Sequence, residues 1–247
     1  MAVRPLLRLG LALAAIVSVR RLSRRSGVTD AEFFGRLPGD DVIRDPMVEW
    51  TRATTIDAPP ERVWPWLVQM GYGRGGWYTN ERFDRLVWRI ENKSVDRVLP
   101  EWQALAVGDI VPDGPDFAAY FHVLDVREEE AIVNRSIRHP SRGHPVDPDD
   151  DDALRRLEQS LIDGGVYIDF TWVWILRRTN SGASRLMVRT RANITPAWAT
   201  FLEMPLGLVD LFHVETMFRG ISRRVAATAA PTGGTPEPGA LPRNGRD

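Results

Sequence analysis

The chain of 247 residues contains no cysteine. That excludes a disulfide framework, thiolate metal sites and a cysteine nucleophile. It also lacks net charge: 32 basic and 33 acidic residues leave −1 at pH 7, whereas a nucleic-acid binder needs a basic surface. A long hydrophobic run is missing too. Only 11 residues separate Arg8 from Arg20 in the apolar N-terminal segment, against the roughly 20 that cross a hydrocarbon core. There is no internal repeat, Ser-His-Asp order, nucleophile elbow or paired-carboxylate motif, and no motif calls for a cofactor.

What is present is unevenly distributed. Residues 1–29 hold six arginines and no acid, a charge of +6, so the remaining chain sums to −7. Arg20 and Arg21 stand where a signal peptide would want small residues. The expectation is a membrane contact through residues 3–25, lying on or spanning a bilayer, with arginines suited to anionic lipid. If it spans, the two arginines before and four after the apolar stretch place the body on the cytoplasmic side. The alternative is a soluble helix with surface arginines.

Residues 30–46 read as a turn-rich connector. Met47–Ile56 follows as a strand, rich in β-branched and aromatic residues. Asp57-Ala58-Pro59-Pro60 stops it and starts a helix to about Met70, with Asp57 as candidate cap and Val63, Trp66, Leu67 and Met70 on one stripe. Gly71-Tyr72-Gly73-Arg74-Gly75-Gly76 follows a helix, not a strand, and no Lys-Ser/Thr comes after it. It reads as a sharp reversal, not a phosphate loop. A short helix, Glu81–Trp88, is expected with Phe83, Leu86 and Val87 inward.

Further strands are expected at 108–112, 118–126 and 131–138, then a short helix around Leu154, Leu157 and Leu161. In Val166–Leu176 the residues Ile168, Phe170, Trp172, Trp174 and Leu176 share a face. In Arg185–Asn193 the residues Leu186, Val188, Thr190 and Ala192 oppose Arg185, Arg189, Arg191 and Asn193. Such alternation predicts one buried and one wetter side. Pro205–Thr228 is a long helix with Leu211, Val214, Met217, Phe218, Ile221 and Val225 in a stripe. Residues 229–247, rich in proline and glycine, read as a disordered tail. Helices segregated from an antiparallel sheet make the fold class α+β, with one domain at 47–228.

That element order resembles the START-like, or SRPBCC, superfamily, whose helix-grip fold wraps a curved antiparallel sheet around a long C-terminal helix. Three patches carry the resemblance. The first is Ile56–Gly71 running into Gly75-Gly76-Trp77-Tyr78, similar to the bacterial polyketide cyclase/dehydrase-like branch. The second is Pro100-Glu101-Trp102-Gln103 with Val107-Gly108-Asp109. The third is Phe212–Ile221. The resemblance implies a cavity between sheet and helix that holds a hydrophobic small molecule or lipid. It does not imply a reaction.

The expected lining is Trp66, Trp77, Tyr78, Phe121, Trp172 and Trp174, each of which can equally be core. If the protein is an enzyme, the acid/base candidates are Asp169, His122 and Glu215, with His213 sharing the ambiguity of Glu215. The simpler reading of Asp169 is an ion pair with Arg189 or Arg191 of the next strand. His139 and His144 with Asp147 and Asp149–Asp152 match no zinc spacing and read as a solvated loop. The leading expectation is a binder or carrier. A cyclase or dehydratase is the runner-up, and an accessory domain assembling partners at a membrane is third.

Overall fold

The alternating strands of the sequence form one curved, open sheet. The computed structural model describes residues 3–88, 91, 93–115, 119–139 and 149–228. Its seven strands are β1 (Arg25–Ser26), β2 (Val48–Ile56), β3 (Ile110–Pro112), β4 (Tyr120–Arg127), β5 (Ala131–Arg138), β6 (Tyr167–Arg178) and β7 (Ser184–Thr195), in the order β1-β2-β7-β6-β5-β4-β3. All neighbours are antiparallel except β1 and β2. The helices are α1 (Val3–Arg24), α2 (Asp30–Phe34), α3 (Pro60–Val68), α4 (Glu81–Phe83, continued by a π turn to Trp88), α5 (Asp151–Asp163) and α6 (Glu203–Ala227). The molecule is α+β with a helix-grip architecture. The tail at 229–247 and the loop holding His144 and Asp147 lie outside the described residues.

Register decides which side chains meet the long helix. Trp172 stands opposite Asn134 on one side and Thr190 on the other, and Trp174 opposite Ile132 and Val188. This inner face packs on α3 and α6 in the main core, where Val63, Trp66, Leu67, Trp174, Leu186, Val214, Phe218 and Ile221 are buried. Helix α6 reaches the sheet because Gly220 has no side chain: a Cβ there would fall 2.0 Å from the carbonyl oxygen of Tyr78. Tyr78 is itself fully buried in the left-handed region at φ 58°. Its hydroxyl donates to Trp66 O at 3.0 Å and accepts from Gln69 Nε2 at 2.9 Å, and Arg224 covers its ring at 4.8 Å.

The opposite face departs from the sequence reading. Arg189, placed there on the wetter side, is buried, as are Met187 and Val173. The cause is residues 30–46, which are not a loose connector but a strap across the sheet. Arg189 donates to the carbonyls of Glu32, Phe33 and Gly35 at 2.6–3.0 Å and to Asp40 Oδ2 at 2.8 Å. Arg191 holds Asp40 O and Arg44 O. Thr29 and Glu32 close α2 with a capping box, and the Arg185 guanidinium on Glu32 draws that carboxyl down to about 2. Guanidinium groups satisfy strap carbonyls that sequence periodicity does not register.

Smaller differences have local causes. Helix α3 begins at Pro60 with Pro59 as its cap and no side-chain hydrogen bond, so Asp57 does not cap it. Leu86, expected inward, is 83% exposed because the chain turns with π geometry there; the side chains of Phe83 and Val87 lie outside those described. The glycine run is the expected reversal: Gly71 and Gly76 bridge, with positive φ at Gly71, Gly73 and Gly76.

Gly220→Ala gives a test with a definite sign. Helix propensity alone favours alanine by about 1 kcal/mol, but the clash with Tyr78 should dominate. The expected result is a lower thermal midpoint; an unchanged or higher one would show that α6 is not seated by this contact.

Candidate functional site

Helix α6 packs on the sheet through Val214, Phe218 and Ile221. Nearer its start Gly207 lies against Trp50 and Ser23, but its N-terminal half leaves part of the inner face uncovered. Between sheet and helix is a cleft of about 290 Å³ open to solvent. The sheet supplies Val48, Phe121, Ile168, Phe170, Trp172, Ala192 and Ile194, and α6 supplies Leu206 and Val209. Polar groups reach it from Thr190, Asp113, Arg138, Asp210 and His213. Apolar walls with a few convergent polar groups are the usual form of a small-molecule site. A larger groove of about 890 Å³ runs past edge strand β3, where Arg74 stacks over Trp102 at 4.5 Å. Its walls are more polar than those of the cleft under α6, with Arg74, Asp109, Asp149 and Asp151 among them.

Each polar group is held by its own partners. Arg138 ends the inward parity of β5, which runs Ile132, Asn134, Ser136, Arg138. Its guanidinium sits 4.9 Å from the ring centres of both Phe121 and Phe170 and bonds Asp113 Oδ2 at 2.5 Å. The charge is therefore paired with Asp113 while the guanidinium itself stays over the aromatic wall.

Asp210 lies 3.2 Å from Arg52, a buried arginine that also donates to Ser23 O at 2.5 Å and Gly207 O at 2.9 Å. Burial raises the Asp210 carboxyl from 3.8 to about 6, with Arg52 pulling the other way. Burial pushes the His213 imidazole down, opposed by the charges of Asp84 and Asp113. Asp84 is raised by burial and accepts from the Thr79 hydroxyl. At neutral pH the site therefore holds a neutral imidazole beside a carboxylate that ionises at unusually high pH.

Of the side chains expected to line a cavity, Phe121 and Trp172 do so, stacked at 5.3 Å. Trp66 and Tyr78 are packed in the core, whereas Trp77 and Trp174 border, with Phe121, a small internal space against α3. Trp77 meets Trp172 at 5.3 Å and Trp174 meets Phe218 at 6.3 Å. Asp169 is on the far face, in a two-bond ion pair with Arg135 at 2.8–2.9 Å. Its partner is on β5, not Arg189 or Arg191 of β7, because those two are engaged by the strap. His122 is also on the far face, 2.8 Å from Glu158 of α5. Glu215 does not line the cleft; its charge acts on Arg52. None of the three candidates lines the cleft, whereas His213, which shared the ambiguity of Glu215, does. Among the described residues no cluster of three or more His, Cys, Asp or Glu could hold a metal.

Arg138, Asp113, Asp210, Thr190 and Phe170 were not anticipated as site residues. For Phe170 and Arg138 the signal was strand parity, since Phe170 shares the face of Trp172. For Asp210 it was helical spacing, three residues before His213 on the same side of α6.

No family model and no curated protein matches the sequence. Solved structures with a similar chain path include a conserved protein from Geobacillus kaustophilus, at 13% identity and TM-score 0.40, covering 73% of this chain and 97% of that one. A hypothetical protein from Helicobacter pylori is 9% identical with TM-score 0.42, covering 76% and 94%. DynU16, a protein of the dynemicin biosynthetic locus, is 14% identical with TM-score 0.36, covering 69% and 46%.

The Asp210 carboxyl yields a prediction with a fixed sign. Between 3.8 and about 6 the folded state holds more of this proton than the unfolded state. Stability should therefore fall as pH rises through that window and level off above it. The contribution is up to about 3 kcal/mol. Urea unfolding from pH 4 to 7 should show a flatter profile for Asp210→Asn than for wild type. Parallel profiles would mean that Asp210 is not desolvated.

Proposed function

We propose that this protein binds a hydrophobic small molecule in the cleft between the inner face of the sheet and the N-terminal half of α6. One observation carries the reading: an apolar slot whose polar groups gather from β5, β7 and α6. At about 290 Å³ it falls at the lower end of ligand sites, roughly 300–1,000 Å³. That size favours a compact ring system or a single short chain over a two-chain lipid. Apolar burial would drive binding, and Asp210, Thr190 or His213 would fix a hydroxyl or carbonyl on the ligand.

The finer family reading, the polyketide cyclase/dehydrase-like branch of the START-like superfamily, rests on the three sequence patches taken with the helix-grip path. Among the described residues no helix is long and apolar enough to cross a membrane. We assign α1 an interfacial role, holding the body at a bilayer surface. Its support is the +6 charge of residues 1–29 and the exposure of Ile16, Val17, Val19 and Leu22.

A second reading, acid/base catalysis, is favoured by one arrangement: His213, kept neutral by burial, and Asp210 share the cleft. An intramolecular loss of water from a polyketide-like chain would need one such group as base and another as acid.

Native mass spectrometry of the chain purified from its own host is expected to reveal a copurifying organic molecule. Val209→Trp, which places bulk in the cleft from its helical wall, should lose that molecule at near-normal thermal stability. A ligand retained by Val209→Trp would move the site elsewhere. A wild-type chain with no ligand and no response to apolar fluorescent probes would end the binding reading.

For the catalytic reading, the recovered compound is incubated with fresh protein. Loss of water in wild type but not in His213→Gln supports it, and an unchanged mass in both removes it.

A further inference from the structure

The approach to α6 turns apolar side chains outward. Residues Ala197–Leu202 form a 3-10 turn with no buried side chain. In it Trp198 and Phe201 are 66% and 68% exposed and stack on each other at 5.8 Å with 19° between their planes. Leu202, Met204 and Leu206 continue the exposed apolar surface onto the first turn of α6. Leu206 also lines the ligand cleft, so this platform borders the cleft mouth. Two stacked aromatics held in water without a covering element are unusual for a monomer surface and mark an interaction site.

What covers it is indicated by the neighbouring charge. Glu203, the first residue of α6, is bridged by Arg24 at 3.1 Å and Arg20 at 3.6 Å. The basic end of α1 therefore lies against the platform, and the exposed Ile16, Val17, Val19 and Leu22 continue beyond it. Arg20, Arg21 and Arg24 stand at this end of α1, while residues 30–247 carry −7. Aromatic and apolar side chains beside arginines, on a molecule otherwise mildly acidic, are complementary to an anionic lipid surface.

We propose that the Trp198–Phe201 platform is a second membrane contact, which with α1 seats the chain on an anionic bilayer so that the cleft exchanges its ligand directly with the lipid phase. The proposal rests on the interfacial role assigned to α1. The platform adds orientation: α1 alone tethers the body, whereas two contacts meeting at Glu203 fix which face meets the lipid. A ligand entering past Leu206 would then leave the bilayer without crossing water.

The test uses the full chain and vesicles of phosphatidylcholine with phosphatidylglycerol, read by cosedimentation and by quenching of tryptophan fluorescence with brominated lipid. Wild type should bind these vesicles and bind phosphatidylcholine alone more weakly. The double variant Trp198→Ser with Phe201→Ser should lose roughly tenfold or more in partitioning, with an unchanged thermal midpoint because both residues are exposed. Trp198→Phe should still bind but show less brominated-lipid quenching, a signature that a structural role would not produce.

A parallel variant, Arg20→Glu with Arg21→Glu, separates the two claims. If it loses binding while the platform variant binds as wild type, the platform proposal is overturned and the α1 role stands. If the platform variant alone loses binding, the platform contact stands, and the joint seating with α1 is overturned. Absence of wild-type binding overturns both, as does a stable dimer that shields Trp198 and ignores vesicles. None of these results bears on whether the cleft holds a ligand.

Discussion

The close seating of α6 on Tyr78 is the contact on which the rest of the structure depends. Gly220 lets the helix backbone approach where a side chain would collide, and Tyr78 meets it from a left-handed conformation fixed by hydrogen bonds to Trp66 and Gln69. From that point Phe218, Ile221 and Val225 fill the core. The walls of the cleft are inner-face side chains that α6 leaves uncovered.

Buried arginines tie the remaining pieces to this frame. Arg189 fastens the strap of residues 30–46 to one face of the sheet through backbone carbonyls and Asp40. Arg52, on the other face, joins Ser23 at the end of α1, Gly207 in α6 and Asp210 at the cleft. Burying a guanidinium is tolerable only when its donors are met, and here the N-terminal region meets many of them. Residues 20–46 thus belong to the folded body, and Arg52 links the proposed membrane helix to a wall of the proposed ligand site. A ligand that changed the environment of Asp210 would act on the same arginine that holds α1.

The parts of the fold that could be read from residues alone were those set by period and by turn chemistry. The strands at 166–176 and 185–193, the hairpin around 127–130, the glycine reversal at 71–76 and the stripe of α6 each depend on neighbours in the chain, and each appears in the structure. The strap did not announce itself, because its stabilisation comes from side chains some 150 residues distant. The arginine face of β7 looked solvated for the same reason. The identity of each partner was hidden too: the aromatic neighbours of Asp169 suit a catalytic role or an ion pair, and only sheet order brings Arg135 beside it.

For the candidate site the division is sharper. Aromatic content and the resemblance pointed to a cavity between sheet and helix, and two of the six aromatics expected there, Phe121 and Trp172, border the cleft. Whether a tryptophan lines a space or fills a core depends on how far α6 stands from the sheet at that point, and a periodic pattern carries no such distance. Trp172 and Trp174 share one strand face, yet one borders the cleft and the other lies beneath Phe218. Local sequence thus determined the elements, because these follow from interactions a few residues apart, while the helix-grip path was what the resemblance implied. Tertiary structure decided the cleft, the placing of Arg138, Asp210 and His213 around it and the strap behind it, because these depend on where α6 is pinned.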